Sequence, residues 1–164
     1  MRDIVITLPI SFIIFMSFMV IKTSYKPYAT SVPTQTGSPP PILFPEILGE
    51  KPDAMGIILA LRIPEGLAYF AGHFDEVSVV PGVTQIQWAV HYARQYLALN
   101  RTFSHMEVVK FKELLLPGQR LKLSLCYQEA DRKLSFSYQS EATEFSSGRI
   151  YFHGDCVTTH PHAL

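Results

Sequence analysis

The strongest constraint on this chain is a change of period. Between Val83 and Leu99, apolar residues recur at helical spacing, and Ile86, Ala89, Val90, Ala93 and Leu97 form one stripe. After that the period is two. Met106–Leu115 sets Val109 and Phe111 against Lys110 and Lys112. Leu121, Leu123, Leu125 and Tyr127 alternate with Lys122, Ser124, Cys126 and Gln128. Leu134, Phe136 and Tyr138 alternate with serines and Gln139. Turns are expected at Pro117-Gly118, over Glu129–Lys133 and at Ser146-Ser147-Gly148, the last leading into a strand over Arg149–His153. Before the helix, Met55–Ile63 reads as a strand closed by Pro64-Glu65-Gly66, and Leu67–Val80 as a loop with short extended pieces. One long helix and a meander of strands leave a single way to bury the helical stripe: the sheet must wrap it. The pattern therefore predicts an α+β fold in which a curved antiparallel sheet encloses one helix.

The amino-terminal part is read separately. Residues 1–23 form a hydrophobic segment, with no charge from Ile4 to Ile21, just at the lower limit for a membrane span. A transmembrane anchor, a signal peptide and a mis-assigned start are three competing readings. Lys22 and Lys26 after the run favour a cytoplasmic domain, tethered by residues 4–21 in the first reading. Residues 24–43 are a linker rich in Pro, Ser and Thr, and the folded domain is expected over 44–164.

Charge excludes some partners. Fourteen basic residues balance fourteen acidic ones, so no global field would gather nucleic acid. Cys126 and Cys156 lack a metal or redox spacing and read as reduced thiols. The tail pair His160 and His162 lacks a third ligand, so no metal site is assigned.

The chemistry is concentrated before and within the first turns of the helix. His73 sits in Gly72-His73-Phe74, and Pro81-Gly82-Val83 opens the helix. This places an imidazole near unpaired backbone N–H groups at the positive end of a helix, a layout suited to a thioester carbonyl. Thr84, Gln87 and His91 fall on one side of the helix. Trp88, Tyr92 and Tyr96 read as packing or dimer contacts, and His105 and His153 as histidines without a partner. Lys110, Lys112, Arg120 and Lys122 are ordinary solvated charges or, with Arg94 and Arg101, a docking patch for an acidic partner.

Gly72-His73-Phe74, Pro81-Gly82-Val83, Val109-Lys110-Phe111-Lys112 and Leu116-Pro117-Gly118-Gln119, in this order, resemble the hotdog-fold 3-hydroxyacyl-[acyl carrier protein] dehydratases of the FabA/FabZ group. Gln85-Ile86-Gln87-Trp88-Ala89 is more similar to the ApeI-like dehydratases of aryl polyene clusters. The resemblance spans about Phe44 to Phe152. It implies a dimer, homomeric or with another hotdog subunit, with the site in a tunnel at the interface. It also implies a substrate delivered on the phosphopantetheine of an acyl carrier protein, and no cofactor in the protein itself.

Mapped by motif, His73 is the base, Phe74 lies beside the substrate, and the N–H groups of Gly82 or Val83 polarise the carbonyl. The position of the usual carboxylate holds Gln87, which has no proton to give. Candidate substitute acids are His91, Asp75 and Glu76, and a partner chain could donate the carboxylate instead. The expected activity is loss of water from a 3-hydroxyacyl thioester to give the trans-2-enoyl product. A non-catalytic hotdog subunit and a hotdog thioesterase are the alternatives.

Overall fold

The computed structural model describes residues 40–70 and 78–156, and only the backbone of Asp155 and Cys156. The expected hydrophobic segment, nearly all of the linker, the His160–His162 tail and the site residues His73, Phe74, Asp75 and Glu76 lie outside the described residues. The elements are β1 (Glu46–Asp53), β2 (Gly56–Arg62), a short 3-10 turn (Ala68–Phe70), α1 (Gly82–Tyr96), β3 (Arg101–Phe111), β4 (Arg120–Gln128), β5 (Lys133–Gln139) and β6 (Glu144–Cys156). The strands make one antiparallel sheet in the order β1-β2-β4-β5-β6-β3. Among the described residues, no helix is long and apolar enough to cross a membrane.

The alternation in β2, β4 and β5 translates directly into packing. Leu59 and Leu61, then Leu121, Leu123 and Leu125, then Leu134, Phe136 and Tyr138 turn inward and are buried. With Ile150 and Phe152 of β6 they form a floor on which α1 lies. The helix runs close to its expected bounds. Leu97 caps its end through a bond from its N–H to Ala93 O, and Ala98 then takes a left-handed φ of 51°.

The buried face of the helix is not the expected stripe. Thr84, Gln85, Trp88, Ala89, Tyr92 and Ala93 are buried, whereas Ile86, Val90 and Leu97 pack only at the margin of the core. Trp88 and Tyr92 carry more apolar area than any aliphatic residue on the helix, so burying them decides the rotation.

Two strands depart from expectation. β1 lacks an apolar alternation because all eight of its residues are exposed along the edge of the sheet. The expected turn at Ser146-Ser147-Gly148 is continuous strand, with Ser146, Ser147 and Gly148 paired to Tyr138, Ser137 and Phe136. Gly148 makes room for a ring there: a Cβ would sit 2.8 Å from Phe136 Cε1 and 3.1 Å from Val109 Cγ2. The true turn before β6 is Ser140–Thr143, closed by a bond from Ser140 N–H to Thr143 O at 2.8 Å. β3 starts at Arg101, earlier than expected, and is irregular in its pairing with β6, with Val108 at a φ of 51°.

Candidate active site at the amino end of the helix

Pro81 is the N-cap of α1 and offers no side-chain cap. Its carbonyl accepts the N–H groups of Thr84 (3.0 Å) and Gln85 (3.2 Å). The N–H groups of Gly82 and Val83 come before any intrahelical acceptor, as in every helix, and keep the partial positive charge of that end. No acidic residue lies in the first turn. The ring of Phe111 on β3 faces Gly82 so closely that a Cβ there would lie 2.6 Å from Phe111 Cζ. The backbone at this glycine is thus approached by a side chain of the protein's own sheet.

A buried polar cluster lies beneath this turn. Gln85, 3% exposed, donates from Nε2 to Val80 O at 3.2 Å and accepts from the Ser146 hydroxyl at 2.6 Å. The Tyr138 hydroxyl donates to the Gln85 carbonyl at 2.8 Å. Complete burial holds the Tyr138 phenol well above its usual pKa, with Tyr92 adding to the shift, so it remains a donor. Val80 N–H bonds Leu115 O at 2.8 Å, which ties the approach to the helix to the chain after β3. Neither Gln85 nor Ser146 stood out in the sequence. A polar residue inside an amphipathic helix reads as surface, and only its place three before Trp88 and four before Ala89 puts it on the buried side.

Thr84, Gln87 and His91 do share one side of α1, but they run from inside to outside: Thr84 is buried, Gln87 half-buried and His91 exposed. No described residue hydrogen-bonds the Gln87 amide. The His91 ring packs against Phe44 at a tilt of 33°, with centroids 4.4 Å apart. Phe44 belongs to a strap laid across the helix before β1. The Trp88 indole donates to Leu43 O at 3.0 Å, and the Tyr92 hydroxyl to Pro45 O at 3.4 Å. Burial, then Tyr96, raises the Tyr92 pKa to about 12. These aromatics are packing residues of the monomer.

The basic residues do not form one patch. Arg120 and Lys122 rim a cavity of about 430 Å³ on the sheet, with Leu48, Ala60 and Glu141. Lys110 lies on β3 and Lys112 just after it, three strands away from β4, and Lys112 pairs with Glu144. Arg101 pairs with Glu129. His105 is not without partners: its ring stacks on Tyr151 at 4.6 Å, and Ser104 Oγ and Glu107 Oε1 lie 3.0 and 3.5 Å from its nitrogens. Among the described residues, no three His, Cys, Asp or Glu side chains cluster to hold a metal. Cys126 on β4 is a free thiol.

One helix laid on a six-stranded antiparallel sheet, with an uncapped amino end, defines a hotdog-fold protein. The ApeI-like family, described as ApeI dehydratase, matches residues 50–149, and the chain belongs to that family. One chain of the dehydratase heterocomplex ApeI:P from Xenorhabdus doucetiae is 34% identical to it, with a TM-score of 0.62, covering 66% of this chain and 97% of that one. An uncharacterized protein from Erwinia carotovora subsp. atroseptica is 33% identical, with a TM-score of 0.59 and coverages of 68% and 97%. No curated protein matches the chain.

Proposed function

We propose that this chain eliminates water from a 3-hydroxyacyl thioester carried on the phosphopantetheine of an acyl carrier protein, and that it does so paired with a second hotdog chain. The carrying observation is that α1, from Gly82 to Tyr96, contains no carboxylate at all, and that Gln87, at the position where the resemblance expects the acid, is half-buried. His73 would take the proton from the carbon next to the carbonyl. The amides of Gly82 and Val83 would hold the charge gathering on the carbonyl oxygen. A carboxyl group of the partner, reaching across the interface, would protonate the departing hydroxyl, which leaves as water as the carbon–carbon double bond forms.

Two observations favour a partner. A similar solved chain comes from a dehydratase heterocomplex. β3 is an open sheet edge, and Val108, Phe111 and Leu114 on and after it are 40, 38 and 61% exposed.

The test is to supply a 3-hydroxyacyl carrier-protein thioester to the chain alone and to the chain co-purified with a hotdog partner, and to follow enoyl product by mass. Turnover is expected with the partner and is abolished by His73→Ala in this chain. Turnover that survives His73→Ala supports the non-catalytic subunit. Release of free acid overturns the proposal in favour of a thioesterase.

A further inference from the structure

We infer that Gln85 is a positioning residue that aims the Gly82 and Val83 amides; the inference rests on the reading of those amides as carbonyl donors. The helix start lacks the Ser, Thr, Asp or Asn that commonly fixes a first turn, and Pro81 can supply no side-chain acceptor. Gln85 does a related task from inside the helix. Its amide reaches back to the carbonyl of Val80 and thereby sets the orientation of the Val80–Pro81 peptide, the unit just before the one that carries the Gly82 N–H.

Three further bonds tie this segment down. Ser146 of β6 donates to the Gln85 side-chain oxygen, Tyr138 of β5 donates to the Gln85 backbone carbonyl, and Val80 N–H is tied to Leu115. The first turn is thus fixed to the sheet through a polar brace in a place where packing alone would accept a hydrocarbon. A leucine of similar length would fill the volume yet leave Val80 O and the Ser146 hydroxyl unpaired. What the glutamine adds is direction, and the direction of Val80–Pro81–Gly82 decides where two N–H donors without an acceptor among the described residues point.

The experiment uses the chain together with its hotdog partner and compares the unsubstituted protein, Gln85→Leu, Ser146→Ala and Gln85→Leu/Ser146→Ala. Thermal midpoint, kcat and KM are measured, together with amide NMR shifts of Gly82 and Val83 on adding a short 3-hydroxyacyl pantetheine thioester. Gln85→Leu is expected to lower kcat by roughly tenfold to a hundredfold, because misplaced catalytic groups cost rate rather than ground-state binding, with KM nearly unchanged. In the double variant the midpoint recovers in part, since the orphaned hydroxyl is gone while Val80 O stays unpaired, but kcat does not. If kcat returns together with the midpoint, or if the thioester moves the two amides equally in the unsubstituted and Gln85→Leu proteins, the brace does not aim them. If the thioester moves neither amide even in the unsubstituted protein, the carbonyl-donor reading itself fails, and the inference with it. Should Gln85→Leu not fold, Ser146→Ala alone tests the same point: unchanged kcat overturns the inference.

Discussion

Gly82 is small for a reason that its sequence context did not reveal. A methyl group there would drive into the Phe111 ring, 2.6 Å away. The ring is the far end of a flexible, partly exposed side chain, so it can yield, at a cost. Gly82→Ala is expected to destabilise the fold by about 1 kcal/mol in denaturant unfolding, at the low end for overpacking. Phe111→Leu added to it should recover most of the loss. Glu144 offers a titration. Hydrogen bonds from Lys112, then Ser147, hold its carboxyl below the usual carboxylate value, against the opposing effect of burial. A depressed folded pKa means that the stabilisation is present above the unfolded value and is lost as pH falls through the folded one. Both side chains are more than a third solvent-accessible, at 40 and 34%, so the contribution stays below about 1 kcal/mol. Glu144→Gln should flatten the acid limb of a thermal-midpoint-against-pH curve by lowering stability slightly at neutral pH, where the contribution is fully present, and should change little at the acid end, where it is already lost.

The strap before β1 and the helix beneath it depend on one another. Leu43 and Pro45 give their carbonyls to Trp88 and Tyr92, Phe44 lies on His91, and Ile42 bridges to Leu67. Removing residues 1–41 leaves all of these contacts in place, and the melting temperature should hold. Removing residues 1–45 exposes Trp88 and strands two buried donors. That truncation is expected to cost on the order of 2 kcal/mol or more, read by chemical denaturation. β6 illustrates the converse, a strand that small residues permit. Ser146, Ser147 and Gly148 look like turn residues in the sequence, yet the space they leave is filled by the Phe136 ring and a buried hydroxyl bond to Gln85.

At the scale of the molecule, the sheet of the described residues ends in two edges, β1 and β3, and the helix carries no acid; the proposed pairing answers the β3 edge and the missing acid. The decisive substitution is Gln87→Glu. It should let the chain turn over a 3-hydroxyacyl thioester without its partner, with a rate gain of roughly a hundredfold or more if the absent proton donor is what limits it. A new limb controlled by a carboxyl group should then appear in the pH profile of kcat. No gain would mean that another group already protonates the hydroxyl. Fractionation of cells making the full chain tests the amino-terminal segment: an anchored protein pellets with membranes and is released by detergent.

Much of this protein is written in local period. The helix, β2, β4, β5 and the motif that opens the helix are legible because alternation of two or of 3.6 is a property of neighbouring residues, and each element uses it to turn one face inward. The sequence by itself therefore determined that one helix lies in one curved sheet, and which short motifs precede and open that helix. Only the tertiary structure decided which face of the helix goes down, that an all-exposed run becomes the edge strand β1, that a serine-glycine stretch continues β6, and that Gln85 is locked beneath the helix start. Each of those outcomes is set by residues far away in the chain: the Phe136 ring, the Ser146 hydroxyl and the two large aromatics that compete for the core. Burial and hydrogen bonding are properties of the surface a residue meets, and that surface exists only once the sheet has closed around the helix.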